Sequence, residues 1–169
     1  KMPMIVDAFS RMPDRRLVVI GDGPDMAQCR ALAGPNVQIM GYQSDEVLRD
    51  HMQRAKAFVF AAEEDFGITP IEAQACGTPV IAFGKGGALE TVRGLTAVKP
   101  TGLFFDEQTP KSLMEAVIQF EKIGAALIQA QACRENAERF SSQRFRQEFS
   151  DFVTVRWSEF QLKRREGCT

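Results

Sequence analysis

The stretch RLVVIGDGP, residues 16–24, joins a β-branched apolar run to a turn with two glycines, Gly21 and Gly23. A run of this kind is typical of a buried strand followed by a tight turn. The turn matches the start of a dinucleotide-binding fingerprint, but Met26 stands where the third glycine is required. Two interpretations therefore stay open, a plain strand-to-helix turn and a loop that binds phosphate.

Four more apolar runs lie downstream, at residues 36–40, 57–61, 79–83 and 102–105. Helical patterns accompany the strands, at residues 3–11, 24–33, 44–55, 69–76, 87–93 and 110–122. Short strands that alternate with helices predict βαβ units and a parallel sheet covered on both faces. We therefore predict an α/β fold with a doubly wound, Rossmann-like parallel sheet.

The strand pattern stops near residue 123, and two further helices are predicted at 124–139 and 141–162. The second carries aromatic residues at helical spacing, which gives an apolar stripe: Phe145, Phe149, Phe152 and Phe160. An exposed stripe of this kind favours self-association. We divide the chain into a Rossmann-like domain, residues 1–140, and a C-terminal helix with its tail, residues 141–169.

The composition excludes several classes of protein. The 169 residues are 44% hydrophobic and 25% charged, and the formal net charge is −1. This balance offers no basic footprint for nucleic acid. No apolar run approaches the roughly 20 residues that span a bilayer. The four cysteines have no close pair and no metal-ligand spacing. We expect a cytoplasmic protein without a nucleic-acid partner.

Three predicted strand ends are rich in glycine or acidic residues, at 21–24, 63–67 and 84–87. Ligands of open parallel sheets bind at the carboxyl ends of the strands. Glycines let backbone N–H groups approach a ligand closely, and a helix N-terminus favours an anion. These loops are therefore predicted to line a site for a phosphorylated ligand.

Glu64 and Glu72 flank the second loop, with seven residues between them. Each has an alternative interpretation. Thr69 followed by Glu72, with Pro70 at the first helical position, matches a capping box in which Glu72 only satisfies a backbone N–H group. Glu64 is equally consistent with a solvated carboxylate in an acidic loop.

The segment EDFGITPIEAQACGTPVIA, residues 64–82, followed by GGALE, residues 86–90, closely resembles the retaining GT-B glycosyltransferases of family 4. That glycogen-synthase-like family has a Glu-x7-Glu motif, a small-Gly-x-Pro-Val strand and a Gly-Gly-x-x-Glu sequence. The resemblance covers most of residues 1–123. The stretch KPTGLFF, residues 99–105, is most similar to the mannosyltransferase branch.

The resemblance implies that this chain is the C-terminal, donor-binding domain of the two in such enzymes. Glu72 then holds the ribose hydroxyls of a sugar nucleotide, and Glu64 faces the donor sugar. Gly21 and Gly23 line the diphosphate crevice, and the base lies near Gly41. Backbone amides at a helix N-terminus contact the sugar and the diphosphate, and they belong to Phe66, Gly67, Ile68 and Thr69.

The implied reaction moves a sugar from a nucleotide diphosphate to an acceptor hydroxyl with retained configuration. GDP-mannose is the favoured donor, and a UDP- or ADP-sugar is the alternative donor. The alternative function is that of a non-catalytic nucleotide-binding module. Such catalysis depends on electrostatic stabilisation of the departing diphosphate. The family typically needs no metal and no cofactor, because an arginine and a lysine supply the positive charge. Lys1 corresponds to that lysine or its neighbour and is a candidate catalytic residue.

The resemblance also implies an N-terminal acceptor-binding domain and a first strand, both upstream of Lys1. We therefore expect this fragment alone to be inactive, and the full-length enzyme to be cytoplasmic with peripheral attachment to a membrane. The upstream strand should lie between the strands at 16–20 and 79–83. Its removal should leave two unpaired strand edges.

Two other doubly wound classes fit the residues less well. A dinucleotide-dependent oxidoreductase needs the third glycine that Met26 replaces, and an acidic residue at the end of the second strand, where Met40 and Gly41 stand. A signalling receiver domain needs paired acidic residues at the end of its first strand. Asp22 has no such neighbour.

Overall fold

The computed structural model describes residues 1–166, with side chains as far as Arg164. Its strands are β1 (Leu17–Ile20), β2 (Val37–Gly41), β3 (Phe58–Phe60), β4 (Val80–Phe83) and β5 (Gly102–Phe105). Every strand agrees with its predicted position to within one residue at each end. The α/β class is confirmed, because all pairs of adjacent strands are parallel.

Helices alternate with these strands and then continue alone. They are α1 (Met2–Ser10), α2 (Met26–Leu32), α3 (Asp45–Arg54), α4 (Ile68–Ala75), α5 (Ala88–Thr91), α6 (Pro110–Gln119), α7 (Ala125–Leu127), α8 (Ala130–Glu138) and α9 (Ser142–Glu166). A π-helical turn, Phe120–Gly124, connects α6 to α7. Ser44 and Thr109 cap α3 and α6 with side-chain oxygens that accept backbone N–H bonds.

The described strands form two sheets, one with the order β1–β2 and one with the order β3–β4–β5. In the second sheet Phe58 lies beside Val80, and Val80 beside Gly102. The expectation of an open edge on the strand at 79–83 is wrong, because β4 pairs on both sides. Within the described residues, the edge strands of this sheet are β3 and β5.

Apolar side chains cover both faces of the β3–β5 sheet, as a parallel sheet requires. Successive residues of β4 alternate between two clusters. Ile81 and Phe83 belong to the larger cluster, which α1 and α6 complete with Ile5, Phe9, Leu113 and Val117. Val80 and Ala82 belong to the smaller cluster, which α3, α4 and α5 complete with Met52, Ala73 and Ala88. The sheet therefore holds α4 and α5 in place beside the loops that end β3 and β4.

The predicted helix at 124–139 is interrupted, and this part of the prediction is wrong. Ile128 has an extended backbone with φ −90° and ψ 115°. Its side chain is 7% exposed and belongs to the larger apolar cluster. The extended backbone of Ile128 ends α7 at Leu127, and α8 begins at Ala130.

The chain divides into two compact units, residues 1–137 and residues from 138 onward. The second unit contains α9, whose aromatic residues are exposed and stack in pairs, Phe145 with Phe149 and Trp157 with Phe160. The helix predicted at 141–162 is thus present and extends to Glu166. Among the described residues, no helix is both long and apolar enough to cross a membrane.

Candidate functional site

The chain turns sharply between the loop after β3 and α4, and the turn occurs at Gly67. Gly67 caps the helix with a left-handed backbone, φ 79°. A Cβ atom there would lie 3.3 Å from the Phe60 ring. Glycine is the residue that adopts this conformation without strain. The sharp turn places the start of α4 at the carboxyl edge of the sheet.

The capping-box interpretation of Glu72 is wrong. The helix begins at Ile68, one residue before Thr69, so Thr69 is not the capping residue. No side chain caps the helix, and the Glu72 carboxylate is exposed. Within the described part of the chain this carboxylate forms no hydrogen bond and no ion pair. It is therefore available to a ligand beside the second turn of α4.

The start of α4 contains backbone donors that have no acceptor within the described chain. The N–H groups of Gly67, Ile68 and Thr69 donate to no acceptor within residues 1–166. Ile68 is 66% exposed, and Phe66 before the turn is 45% exposed. Unpaired N–H groups at a helix N-terminus carry partial positive charge. This turn is therefore suited to an anionic group such as a diphosphate.

The glycine pair after β4 packs against the loop that carries Glu64. The Gly87 N–H group donates to the Glu64 carbonyl at 2.7 Å. A Cβ atom on Gly86, where φ is +61°, would lie 2.5 Å from that oxygen. A Cβ atom on Gly87 would lie 2.4 Å from the Asp65 carbonyl oxygen. Only glycines permit this approach, so the two loops form one rigid backbone unit.

The Glu64 side chain itself is exposed and belongs to an acidic cluster with Glu63 and Asp65. It has no ion-pair partner within residues 1–166. Lys85 is the one basic side chain of the three glycine- or acid-rich loops, and its Nζ atom lies 5.6 Å from the centre of the Phe83 ring. The Glu64 carboxylate is therefore held by its backbone alone and faces solvent.

A second group of candidate residues lies at the carboxyl ends of β1 and β2. The Gly21 N–H group donates to the Gly41 carbonyl at 2.8 Å, which joins the two strand ends. The Asp22 carboxylate accepts from the Gly23 N–H group at 2.8 Å. A Cβ atom on Gly21, Gly23 or Gly41 would meet no atom within 4 Å. The space beside these glycines is open on the side where a ligand would approach.

Lys1 lies at the exposed N-terminal end of α1. The opposite end of α1 is fixed beside the start of β2, because the Asn36 amide donates to the carbonyls of Phe9, Met12 and Arg15 at 2.8, 3.1 and 2.7 Å. A nine-residue helix rises about 13 Å. Lys1 thus lies at the end of α1 that is away from the start of β2.

Three buried polar residues behind α4 were not assigned any role from the sequence. They are fully buried and hydrogen-bonded to one another: Gln74, Thr91 and Asn136. The burial of Gln74 could not be predicted, since a glutamine in a helix usually faces solvent. Asn136 gave no signal, since an asparagine in an amphipathic helix usually faces solvent.

The described residues contain no group of three or more His, Cys, Asp or Glu side chains that could hold a metal ion. The candidate residues are backbone amides, two exposed carboxylates and an exposed lysine, all within the first unit.

The family model for glycosyl transferases group 1 matches residues 2–140. The chain belongs to the group 1 glycosyltransferase family. The family expected from the Glu-x7-Glu and Gly-Gly-x-x-Glu motifs is thus confirmed, as is the place of this chain near the mannosyltransferases. The matched range contains every residue of the candidate site except Lys1.

Two curated relatives are mannosyltransferases. One is a GDP-mannose-dependent monoacylated alpha-(1-6)-phosphatidylinositol monomannoside mannosyltransferase from Corynebacterium glutamicum. It is 32% identical over an alignment of 138 residues, and the alignment covers 74% of this chain and 35% of that protein. The other, from Mycolicibacterium smegmatis, is a GDP-mannose-dependent alpha-(1-6)-phosphatidylinositol monomannoside mannosyltransferase. It is 37% identical over an alignment of 98 residues, and the alignment covers 48% of this chain and 25% of that protein. The chain thus spans about a third or less of the length of these relatives.

Solved glycosyltransferase structures share the fold. Sucrose-phosphate synthase from Thermosynechococcus elongatus matches with a TM-score of 0.73 and 25% identity, over 94% of this chain and 42% of that one. HepE from Anabaena, in complex with UDP-glucose, matches with a TM-score of 0.71 and 22% identity, over 90% of this chain and 44% of that one. These matches confirm the predicted GT-B type of α/β fold.

Proposed function

We propose that this chain is the donor-binding part of a retaining glycosyltransferase, which moves a sugar from a nucleotide diphosphate to an acceptor hydroxyl. One observation carries the proposal. Glu72 is an exposed carboxylate in the second turn of α4, and its side chain forms no hydrogen bond or ion pair within the described residues. A carboxylate in that position accepts two hydrogen bonds from the vicinal hydroxyls of a ribose.

The diphosphate of the donor binds at the first turn of α4 and beside the glycines after β1. The free N–H groups of Gly67, Ile68 and Thr69 support this placement, since they offer donors to an anion without any charged partner of their own. Gly23 supports it too, because neither its backbone conformation nor its packing requires a glycine. A ligand that approaches the backbone closely would require a glycine at this position, because a side chain would block it.

Glu64 faces the donor sugar, where its carboxylate orients the hydroxyls and stabilises positive charge at the anomeric carbon. As the bond to the diphosphate lengthens, the leaving group gains negative charge. The amides of α4 and the ammonium group of Lys1 stabilise this charge. No metal and no cofactor enters this scheme, because amides and basic side chains neutralise the diphosphate.

GDP-mannose is the donor that we favour. The mannosyltransferase relatives are named as GDP-mannose-dependent, and the similarity extends over 74% of this chain in the first of them. A UDP-sugar is the second candidate donor, because the structurally similar HepE was solved in complex with UDP-glucose. The base is expected near Gly41 and Tyr42, and Tyr42 is 82% exposed at the end of β2.

Transfer also needs an acceptor site, and we place it on a second domain, N-terminal to the residues described. This part alone is therefore expected to bind the donor without transferring it.

Calorimetric titration with GDP, UDP, ADP and their common sugar conjugates tests the proposal. The expected result is preferential binding of GDP and GDP-mannose. Preference for UDP- or ADP-sugars would change the donor but keep the function. Absence of binding, both by this chain and by a longer chain that includes upstream residues, would contradict the proposed function. Binding by the longer chain alone would show that upstream basic residues are indispensable.

A further inference from the structure

A series of hydrogen bonds connects the backbone of the loop that carries Glu64 with the helix that carries Glu72. The Gly87 N–H group bonds to the Glu64 carbonyl, and the Gly87 carbonyl accepts from the Thr91 hydroxyl at 2.9 Å. The Thr91 carbonyl accepts from the Gln74 amide at 2.9 Å. Gln74 is two residues from Glu72 on α4. The loop that carries Glu64 and the helix that carries Glu72 are thus connected from behind.

Asn136 completes this connection from α8. Its side-chain nitrogen donates to the Gln74 side-chain oxygen at 2.7 Å and to the Thr91 carbonyl at 2.8 Å. The Gln74 nitrogen also donates to the Pro70 carbonyl in the first turn of α4, at 3.1 Å. Gln74, Thr91 and Asn136 are each 0% exposed. Water therefore cannot replace any of these bonds.

A buried amide network constrains the positions of the groups around it more strictly than apolar side chains do. Apolar side chains of similar shape would need no partners, whereas each amide here requires one particular arrangement of its neighbours. The network therefore selects a single separation between α4, α5 and the loop of Glu64. The backbone groups that it fixes, Pro70 and Thr91, lie in α4 and α5, which border the proposed donor site.

We propose that Gln74 and Asn136 are positioning residues, whose paired amides set the distance between the Glu64 loop and the Glu72 helix. This inference rests on the proposed function, because the distance matters for a donor that touches both carboxylates. Neither amide touches the donor. Their removal should weaken donor binding while the protein stays folded.

The test compares Gln74→Met with the wild type in the full natural chain. Methionine keeps the length of the side chain and removes both the amide N–H donors and the amide oxygen acceptor. We expect the dissociation constant for the nucleotide sugar to rise about tenfold, from the loss of buried hydrogen bonds that hold the site. Hydrogen exchange should become faster in peptides 63–72 and 84–91 and stay unchanged in peptide 17–41. A purely structural role would lower the unfolding midpoint and leave the affinity of the folded protein unchanged.

Gln53→Met is the matched control, because Gln53 is exposed on α3 and its side chain forms no hydrogen bond within the described residues. This variant should change neither the dissociation constant for the nucleotide sugar nor the hydrogen exchange of peptides 63–72 and 84–91. Asn136→Ser, which keeps one donor, serves as the second variant if Gln74→Met does not fold, and it should show the same two effects. Wild-type affinity and wild-type exchange in a folded Gln74→Met protein would overturn the inference. If the wild type binds no nucleotide sugar, the proposed function fails, and the exchange of peptides 63–72 and 84–91 alone decides the positioning role.

Discussion

The backbone N–H group of Gly87 donates a 2.7 Å hydrogen bond to the carbonyl of Glu64. This bond joins the Gly-Gly-x-x-Glu sequence to the first residue of the Glu-x7-Glu motif. The two motifs are thus one structural unit, in which the glycines act by allowing two backbones to touch. The unit holds the Glu64 side chain in solvent at the edge of the β3–β5 sheet.

A methyl group at Gly87 should separate these loops. A Cβ atom there would lie 2.4 Å from the Asp65 oxygen, so Gly87→Ala requires backbone movement. We expect a loss of about 1–3 kcal/mol in the free energy of unfolding, the range found for overpacked sites. Urea denaturation measures this loss. Donor affinity should fall as well, because the Glu64 loop moves.

Gly23→Ala is the control for this substitution, since a Cβ atom at Gly23 would meet nothing within 4 Å. Its free energy of unfolding should stay within about 1 kcal/mol of the wild type, while affinity for the nucleotide falls because the methyl group occupies the diphosphate crevice. Equal stability of Gly87→Ala and the wild type would refute the close contact between the loops.

Glu64→Gln should distinguish the contribution of the sugar to donor binding from that of the nucleotide. Since Glu64 is proposed to face the sugar alone, the variant should bind the free nucleotide with wild-type affinity. It should bind the nucleotide sugar more weakly, by about 1–3 kcal/mol, the usual cost of a lost charged hydrogen bond. Paired calorimetric titrations give both values. An equal loss for both ligands would place Glu64 at the nucleotide instead.

The strands were predictable because each is a short apolar run that ends near a glycine or an acidic residue. The run at Val80–Phe83 shows why the prediction is reliable: a strand buried on both faces must be apolar at every position. The positions of the loops followed from the same reasoning, because parallel strands place their carboxyl ends on one edge.

Three features could not be predicted from local patterns. The start of α4 depends on the left-handed backbone of Gly67, and this removed the capping box that Thr69 and Glu72 suggest. The break at Ile128 depends on a buried site for its side chain. The pairing of Gln74 with Asn136 joins residues 62 positions apart, and only tertiary packing brings them together.

Cys133 should be unreactive in the folded protein. It is fully buried, and burial raises the pKa of its thiol to about 11. At pH 8 iodoacetamide should modify Cys133 far more slowly than the half-buried Cys76, and mass spectrometry of the modified peptides measures this. Rapid modification of Cys133 without denaturant would contradict its burial.

The same shift makes stability depend on pH. The folded pKa of Cys133 lies above the ordinary value of about 8.5, so the folded state binds more protons than the unfolded state between these values. The stabilising contribution is present below about pH 8.5 and is lost as the pH rises toward 11. Urea midpoints at pH 8 and pH 10 should differ less for Cys133→Ala than for the wild type. An equal difference in both proteins would contradict the shift.

Glu72→Gln tests the central claim most directly. Calorimetric titration with the preferred nucleotide is combined with urea denaturation of the same protein, and Glu138→Gln, an exposed glutamate outside the loops, is the matched control. The account predicts that Glu72→Gln weakens nucleotide binding by about 1–3 kcal/mol, the cost of a lost charged hydrogen bond, and leaves stability unchanged. Unchanged nucleotide affinity in a folded Glu72→Gln protein would show that Glu72 does not contact the nucleotide, and would contradict the proposed function.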